Sequence, residues 1–289
     1  MKIHLVDGTY ELFRAYYGAP KRRNREGIEV GATIGLLSTL VVLLREETTT
    51  HIACAFDHVI ESFRNDLFEG YKTGEGIEAD LLAQFPLAER AAHALGIAVW
   101  PMIEFEADDA LATGAARWMN QRKVEQIVVC SPDKDLAQCV QGSRVICLDR
   151  RQQRILDEEG VVAKFGVLPS SIPDWLALVG DSADGIPGIR GWGKKSASRV
   201  LSRYRHLEDI PEDAASWDIR VRRAEELAES LNSHRKEAFL YRRLATLRTD
   251  VPLKESLQDI RWQGVHGEEL KALCSEIGER KLLDRVPFL

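Results

Sequence analysis

The chain is poor in the residues that would point to soft-metal, secreted or membrane chemistry. Its five cysteines (Cys54, Cys130, Cys139, Cys147 and Cys274) form no CxxC pair, and three lie in apolar, strand-like runs. That argues against a thiolate zinc cluster or a disulfide scaffold and predicts buried free thiols in a reducing cytoplasm. The histidines (His4, His51, His58, His93, His206, His234 and His266) show no ligand spacing, so they read as structural or surface residues and are assigned no role. Long apolar runs are missing too. The longest, Ile34–Leu44, is too short and too interrupted to span a bilayer, so no membrane partner is expected. The opening MKIHLVDG enters a strand directly, which predicts no signal peptide. There is no Ser/Gly linker, internal repeat or low-complexity segment, and the expectation is one compact monomeric unit.

What the chain does have is carboxylates in short clusters: Asp7, Asp57, Glu106 with Asp108 and Asp109, Asp133 with Asp135, and Asp181 with Asp184. Each cluster stands at the end of an apolar run or at a helix start. Carboxylates brought together must be protonated, paired with cations or neutralised by metal. With no Cys/His ligand set, the nine acids read as an all-oxygen site for hard divalent ions, Mg²⁺ or Mn²⁺.

A net charge of −6 taken whole argues against nucleic acid, but setting these nine acids aside turns it into +3. The bases are bunched. Lys21, Arg22, Arg23 and Arg25 form one run, and Arg190, Lys194, Lys195, Arg199, Arg203 and Arg205 form a second that contains no acid. Such runs can be solvated helix faces. Bunching directly after Asp181 and Asp184 favours phosphate-backbone binding.

The first half alternates strand and helix. Strands are expected at Lys2–Asp7, His51–Phe56, Ile97–Trp100, Gln126–Cys130 and Arg144–Leu148. Helices are expected at Thr33–Arg45, Asp80–Leu95 and Ala107–Asn120, with a short one from Asp135. Apolar strands alternating with helices predict an α/β fold with a parallel sheet covered on both faces, whose ligands bind beyond the carboxyl ends of the strands. After about Gly160 the strand signal fades, and helices are expected at Pro169–Val179, Asp218–Leu231, Arg235–Leu247 and Gly267–Ile277. The division reads as a sheet domain over residues 1–160 and a helical region over 161–289.

SPDKDL (Ser131–Leu136) and FEADDA (Phe105–Ala110) could each be an ordinary acidic turn or first helical turn. Together, with Asp7 and Asp57 at other strand ends, they read as one acidic constellation. GDSADGIPGIRGWGKKSASRVL (Gly180–Leu201) is more specific. Two helices flank a turn built on Gly188, Gly191 and Gly193, where backbone amides can meet phosphate, with Lys194 and Lys195 adding charge. FRNDLFEGYK (Phe63–Lys72) puts Arg64 and Lys72 shortly after Asp57, where a cation could stabilise charge on a transferring phosphoryl group.

LVDGTYELFRAYY, AFD, FRNDLFEGYK, FEADDALA, SPDKDLAQ, GDSADGIPGIRGWGKKSA and LRTDVPL stand in the order seen in the 5′→3′ exonuclease/flap endonuclease family. From Lys2 to roughly Leu253 the chain resembles the amino-terminal nuclease domain of a bacterial DNA polymerase I, or a stand-alone bacterial relative of it. The resemblance implies a PIN-like sheet flanked by helices, then a helical region with a helix–three-turn–helix DNA-binding element at Gly180–Leu201. It implies two or more Mg²⁺ or Mn²⁺ ions on all nine carboxylates and a potassium ion on the glycine turn; Asp133, which stands between the two ligand groups in the sequence, is the candidate bridging ligand. Lys72 and Arg64 would stabilise phosphate charge. Arg14, Lys72, Gly188, Arg190, Gly191, Gly193, Lys194, Lys195 and Arg199 would touch DNA. One departure stands out. The family usually has a base three positions after the YK lysine, where this chain has Glu75, followed by Glu78 and Asp80. Tight phosphate gripping by that arch is therefore not expected.

The implied activity is metal-dependent hydrolysis of DNA at a 5′ end, flap or nick. Two other readings stay open: a DNA-junction-binding protein without catalysis, and a PIN-type ribonuclease acting on RNA or RNA–DNA hybrids.

Overall fold

The computed structural model describes residues 1–287. The elements run β1 (Lys2–Asp7), α1 (Gly8–Gly18), α2 (Gly31–Leu44), β2 (His51–Asp57), α3 (Phe63–Leu67), α4 (Ala79–Leu82), α5 (Phe85–Ala94), β3 (Ala98–Met102) and α6 (Ala107–Trp118). They continue with β4 (Gln126–Cys130), β5 (Val145–Asp149), β6 (Arg154–Leu156), α7 (Glu158–Phe165), α8 (Ile172–Val179), α9 (Lys194–Tyr204), α10 (Ala224–Ser233), α11 (Arg235–Ala245) and α12 (Gly267–Glu276). The chain forms two compact units that are interleaved in sequence rather than the single unit expected. The first takes Met1–Ser62, Gly74–Ser131 and the stretch from Thr249; the second takes Phe63–Thr73 and Pro132–Arg248.

In the first unit β3, β2, β1 and β4 are neighbours in that order, and every pair is parallel. The strands are buried almost throughout, as expected where helices cover both faces. β1 lies between β2, the strand that follows it, and β4, which returns on its other side. The strand order therefore reverses at β1, the position where open α/β sheets bind ligands. Register pairs Val6 with Cys130 and Asp7 with Ala55, which sets Asp7 at the carboxyl edge beside the residue after β4. The stretch from Thr249 is stitched to β2 by Ile52 N–H donating to Ile260 O at 2.8 Å and Trp262 N–H donating to Thr50 O at 3.0 Å.

The helix expected over Asp80–Leu95 is broken into α4 and α5. Pro86 sits in the first turn of α5, where its missing N–H is harmless, whereas in mid-helix it would cost a hydrogen bond and clash. Gln84, at the break, is fully buried and accepts from Thr33 N at 3.0 Å, which ties it to α2. In the second unit a short strand that the sequence reading did not include, β6, runs antiparallel to β5. Its three residues are largely exposed, too few to leave an alternating pattern. The helix expected from Asp218 starts only at Ala224, after Arg223 in a left-handed conformation with φ 60°. The second unit's core gathers around α8 and α11. Asp174 of α8, 1% exposed, accepts from Arg242 and from Leu207 N and contacts His206 Nδ1 at 3.0 Å. Among the described residues no helix is long and apolar enough to cross a membrane.

Candidate metal centre and nucleic-acid interface

The first unit positions five of the nine expected carboxylates. Asp7 ends β1 and caps α1, with Tyr10 N–H donating to Oδ1 at 2.8 Å and Ser131 Oγ donating to Oδ2 at 2.8 Å. Asp57 ends β2. Its Oδ1 accepts from Ala107 N at 2.7 Å, and its own N–H donates to Thr9 Oγ1 at 2.8 Å. These bonds tie the end of β2 to the starts of α1 and α6. Glu106, buried at the N-cap of α6, accepts from Ser62 Oγ at 2.7 Å. Asp109, also buried, closes the same turn by accepting from Glu106 N at 3.0 Å. Asp108 is half-buried on that turn.

The second unit holds the other four. Asp135, Asp181 and Asp184 each bring a carboxylate oxygen within 4.8 Å of the others. Asp135 and Asp181 are buried, and Asp135 Oδ1 has no hydrogen-bond partner. Burial, followed by the charges of Asp133 and Asp184, pushes the Asp135 carboxyl well above the ordinary carboxylate range, with Lys134 opposing. Asp133, expected as the bridging ligand, is exposed and lies outside this triple; its Oδ1 accepts from Asp135 N at 2.9 Å.

Two ammonium groups meet these acids. Lys134 contacts Asp181 and stands 3.9 Å from Asp135 Oδ1. Burial works to lower the Lys134 ammonium, but pairing with Asp181 and the charges of Asp135 and Asp133 raise it above its ordinary value. Lys72 Nζ lies 3.2 Å from Asp184 Oδ1, and Lys72 N–H donates to Asp184 O at 3.1 Å. Gly185, with φ +73°, fixes that approach, because a Cβ there would meet Gly70 O at 2.0 Å. A carboxylate triple with two buried members, an Asp135 oxygen without a hydrogen bond and a local excess of negative charge fit a hard divalent ion. Sequence reasoning passed over Lys134, although it stands between two singled-out acids. It also passed over Ser62, Ser131 and Thr9, whose spacing carries no signal.

Arg64 is buried in the second unit. It is 1% exposed, donating to Leu244 O at 2.7 Å and Thr246 O at 3.1 Å, with its guanidinium 4.6 Å from the Phe63 ring. It anchors the end of α11, whereas Lys72 and Lys134 stand beside the acids. Arg14 pairs with Glu11 and donates to Thr39 Oγ1 at 3.0 Å. The basic run after Pro20 is largely matched within the first unit. Lys21 lies 4.0 Å from Glu78, Arg23 lies 3.1 Å from Asp80, and Arg22 pairs with Glu279. Two of the acids by which the arch departs from the family pattern thus neutralise bases of this same chain.

The glycine turn lies between α8 and α9. At Gly188 (φ +73°) a Cβ would meet Gly180 N at 2.6 Å, and Gly191 has φ +86°; both positions require glycine. Gly193 has neither constraint. It is the N-cap of α9 with open space around it, so its backbone stays approachable. Ala197, Val200 and Leu201 bury one face of α9, while Lys194, Lys195 and Arg199 lie on the other, as does Arg190 before the helix. A helix start with two lysines can receive phosphate, since the N–H groups of a first helical turn have no partner within the helix.

Acids at the carboxyl edge of a parallel sheet, a carboxylate triple with two buried members and a basic helix start fit a metal-dependent nuclease of the α/β class. The 5′-3′ exonuclease N-terminal resolvase-like domain matches residues 2–166, and the 5′-3′ exonuclease C-terminal SAM fold matches residues 167–268. The chain belongs to the 5′-3′ exonuclease family. It is 34% identical to DNA polymerase I of Bacillus caldotenax, over 99% of this chain and 32% of that protein. It is 33% identical to a 5′-3′ exonuclease of Buchnera aphidicola, over 89% of this chain and 85% of that one. The chain thus spans about a third of the DNA polymerase I relatives it matches. Its fold is similar to that of the bacteriophage T5 D15 flap endonuclease solved in a complex with DNA and metal ions, with a TM-score of 0.66, 16% identity and coverage of 99% of each chain.

Proposed function

We propose that the chain, as a cytoplasmic monomer, hydrolyses phosphodiester bonds of DNA at a 5′ end, flap or nick, using divalent metal. The observation that carries this reading is the triple of buried Asp135 and Asp181 with half-buried Asp184, whose crowded charge and unbonded Asp135 oxygen call for a cation. These three residues would hold one Mg²⁺ or Mn²⁺, with Asp133 beside them. Asp7, Asp57, Glu106, Asp108 and Asp109 would hold another, and backbone oxygens of the glycine turn a potassium ion. Bound divalent ions supply an activated water and neutralise charge at the scissile phosphate. Lys72 would stabilise the charge that develops on the phosphate oxygens. The start of α9, with Lys194, Lys195, Arg199 and Arg190, would grip the duplex backbone and leave sequence unread. Terminal bases must unpair to reach the acids, and that is easiest at ends and flaps. The T5 flap endonuclease complex with DNA and metal ions supports the choice of substrate and cofactor.

The deciding experiment maps products from 5′-flap, nicked, single-stranded and RNA–DNA hybrid substrates with Mg²⁺ and with chelator. Chelator-sensitive cleavage near the 5′ junction is expected. Tight junction binding with no cleavage in Mg²⁺ or Mn²⁺ would instead make it a binding protein, and a preference for RNA would make it a ribonuclease. Replacing both Lys194 and Lys195 by Ala should flatten the salt dependence of duplex binding by up to about 2 log units per log salt, at roughly 0.9 for each phosphate that is no longer neutralised. An unchanged slope in a filter-binding salt series would mean that these lysines do not touch the backbone.

A further inference from the structure

We infer that His93, His266 and Glu269 form a second metal site, for a divalent transition ion such as Zn²⁺, at the amino end of β3. His93 lies in the last turn of α5, and the chain then turns through Gly96 into Ala98, the first residue of β3. Asp57 lies at the other end of this strand pair, opposite Met102. His266 is the N-cap of α12, and its N–H donates to Ala94 O at 2.9 Å, which locks it beside His93. The two imidazole rings stand 4.6 Å apart, centroid to centroid, with their planes at 54°. Glu269, in the first turn of α12, presents Oε2 at 3.0 Å from His93 Nδ1 and 3.9 Å from His266 Nδ1.

One ligand atom from each residue lies within 4.8 Å of the other two. Tetrahedral Zn²⁺ with bonds of about 2.0–2.2 Å spaces its ligand atoms roughly 3.3–3.6 Å apart. The two contacts to Glu269 bracket that spacing. The side chains are about half exposed (56%, 47% and 59%), so small rotamer changes can close the third distance. Two imidazoles and one carboxylate suit Zn²⁺, Cu²⁺ or Ni²⁺ and disfavour Mg²⁺, the reverse of the all-oxygen carboxylate groups. Solvent would complete the coordination.

The scaffold beneath the site is stiff. A Cβ at Gly96 would meet Gly264 O at 2.0 Å, Trp262 Nε1 donates to Leu95 O at 2.8 Å, and Arg90 pairs with Glu276 at 2.7 Å further along α12. A metal here clamps α12 to α5 and holds the stretch from Thr249 against β3. Its role is structural, and the carboxylate chemistry proceeds without it.

The test uses the full chain without an affinity tag, in saturating Mg²⁺, titrated with Zn²⁺ by calorimetry and with Cu²⁺ by electron paramagnetic resonance. One Zn²⁺ per chain is expected. Cu²⁺ should show hyperfine coupling to two imidazole nitrogens, a signature the carboxylate groups cannot give. At a hundredfold excess over its Kd, Zn²⁺ should raise the melting temperature by about 5 °C. H93A and H266A should each weaken Zn²⁺ at least tenfold and remove one nitrogen coupling, with Mg²⁺-dependent cleavage unchanged. E269Q should weaken Zn²⁺ while keeping both couplings. Zn²⁺ binding that survives both histidine variants undiminished would overturn the site, as would the absence of nitrogen coupling in the unsubstituted chain.

Discussion

Asp135→Asn is expected to lower the single-turnover cleavage rate by about 10³-fold and, in the same preparation, to raise the melting temperature of the metal-free protein. Both effects have one cause. Asp135 is buried, its Oδ1 has no hydrogen-bond partner, and Asp133, Asp181 and Asp184 crowd it with like charge. Without metal such a carboxylate is a burden on the fold; with metal it is a ligand. Asparagine keeps the shape, loses the charge and binds a hard cation poorly. The pH dependence has a definite sign. Between the ordinary carboxyl value of 3.8 and the raised value in the fold, the folded state keeps a proton that the unfolded state has released. Stability of the metal-free protein therefore falls as pH rises through that window. The asparagine variant lacks this loss, so its advantage should grow from about pH 4 upward and level off above the raised value. Mg²⁺ should stabilise the unsubstituted chain more than the variant. Melting curves in chelator and in Mg²⁺ at several pH values, beside single-turnover rates, decide the matter. Cleavage within a fewfold of the unsubstituted rate would remove Asp135 from the proposed metal site.

Lys72→Ala should reduce turnover by about 10²-fold while flap affinity changes only a fewfold. The Lys72 ammonium stands 3.2 Å from Asp184 Oδ1 with its side chain 28% exposed, so it is held by the acid and still open to a ligand. An ammonium so placed gains most when phosphate charge develops in the transition state, which lowers the barrier more than it tightens ground-state binding. Because Lys72 also neutralises Asp184, its loss should strengthen Mg²⁺ binding slightly even as the rate falls. That combination separates a charge-stabilising role from general damage to the acidic triple, which would weaken metal binding. If affinity and rate fall in equal proportion, Lys72 contributes uniform binding and no transition-state selectivity. Arg64 sits in the same sequence motif, but its guanidinium is bonded to the carbonyls of Leu244 and Thr246. Spacing from Asp57 could not distinguish the two, since burial is a tertiary property.

The amino-acid order alone was enough for the strands that carry Asp7 and Asp57, the acidic start of α6 and the glycine turn before Lys194. Each of these signals is local: period, cap and turn chemistry act within a few residues and are written contiguously. Packing decided the rest. Pro86 and buried Gln84 broke an expected helix, because a proline in the first turn and a side chain bonded to α2 outweigh apolar period. Asp133 and Asp135, two residues apart in SPDKDL, look alike in the sequence, yet the fold buries Asp135 and leaves Asp133 exposed. The bases around Arg23 found acids of their own chain at Glu78, Asp80 and Glu279, over separations that no linear pattern reports. His93 and His266, far apart in sequence, meet because α12 packs on α5 and one backbone hydrogen bond from His266 to Ala94 sets them side by side. Sequence determines which groups are available. Only the folded chain, by choosing which of them lose water and which share a neighbour, determines what their charges and lone pairs do.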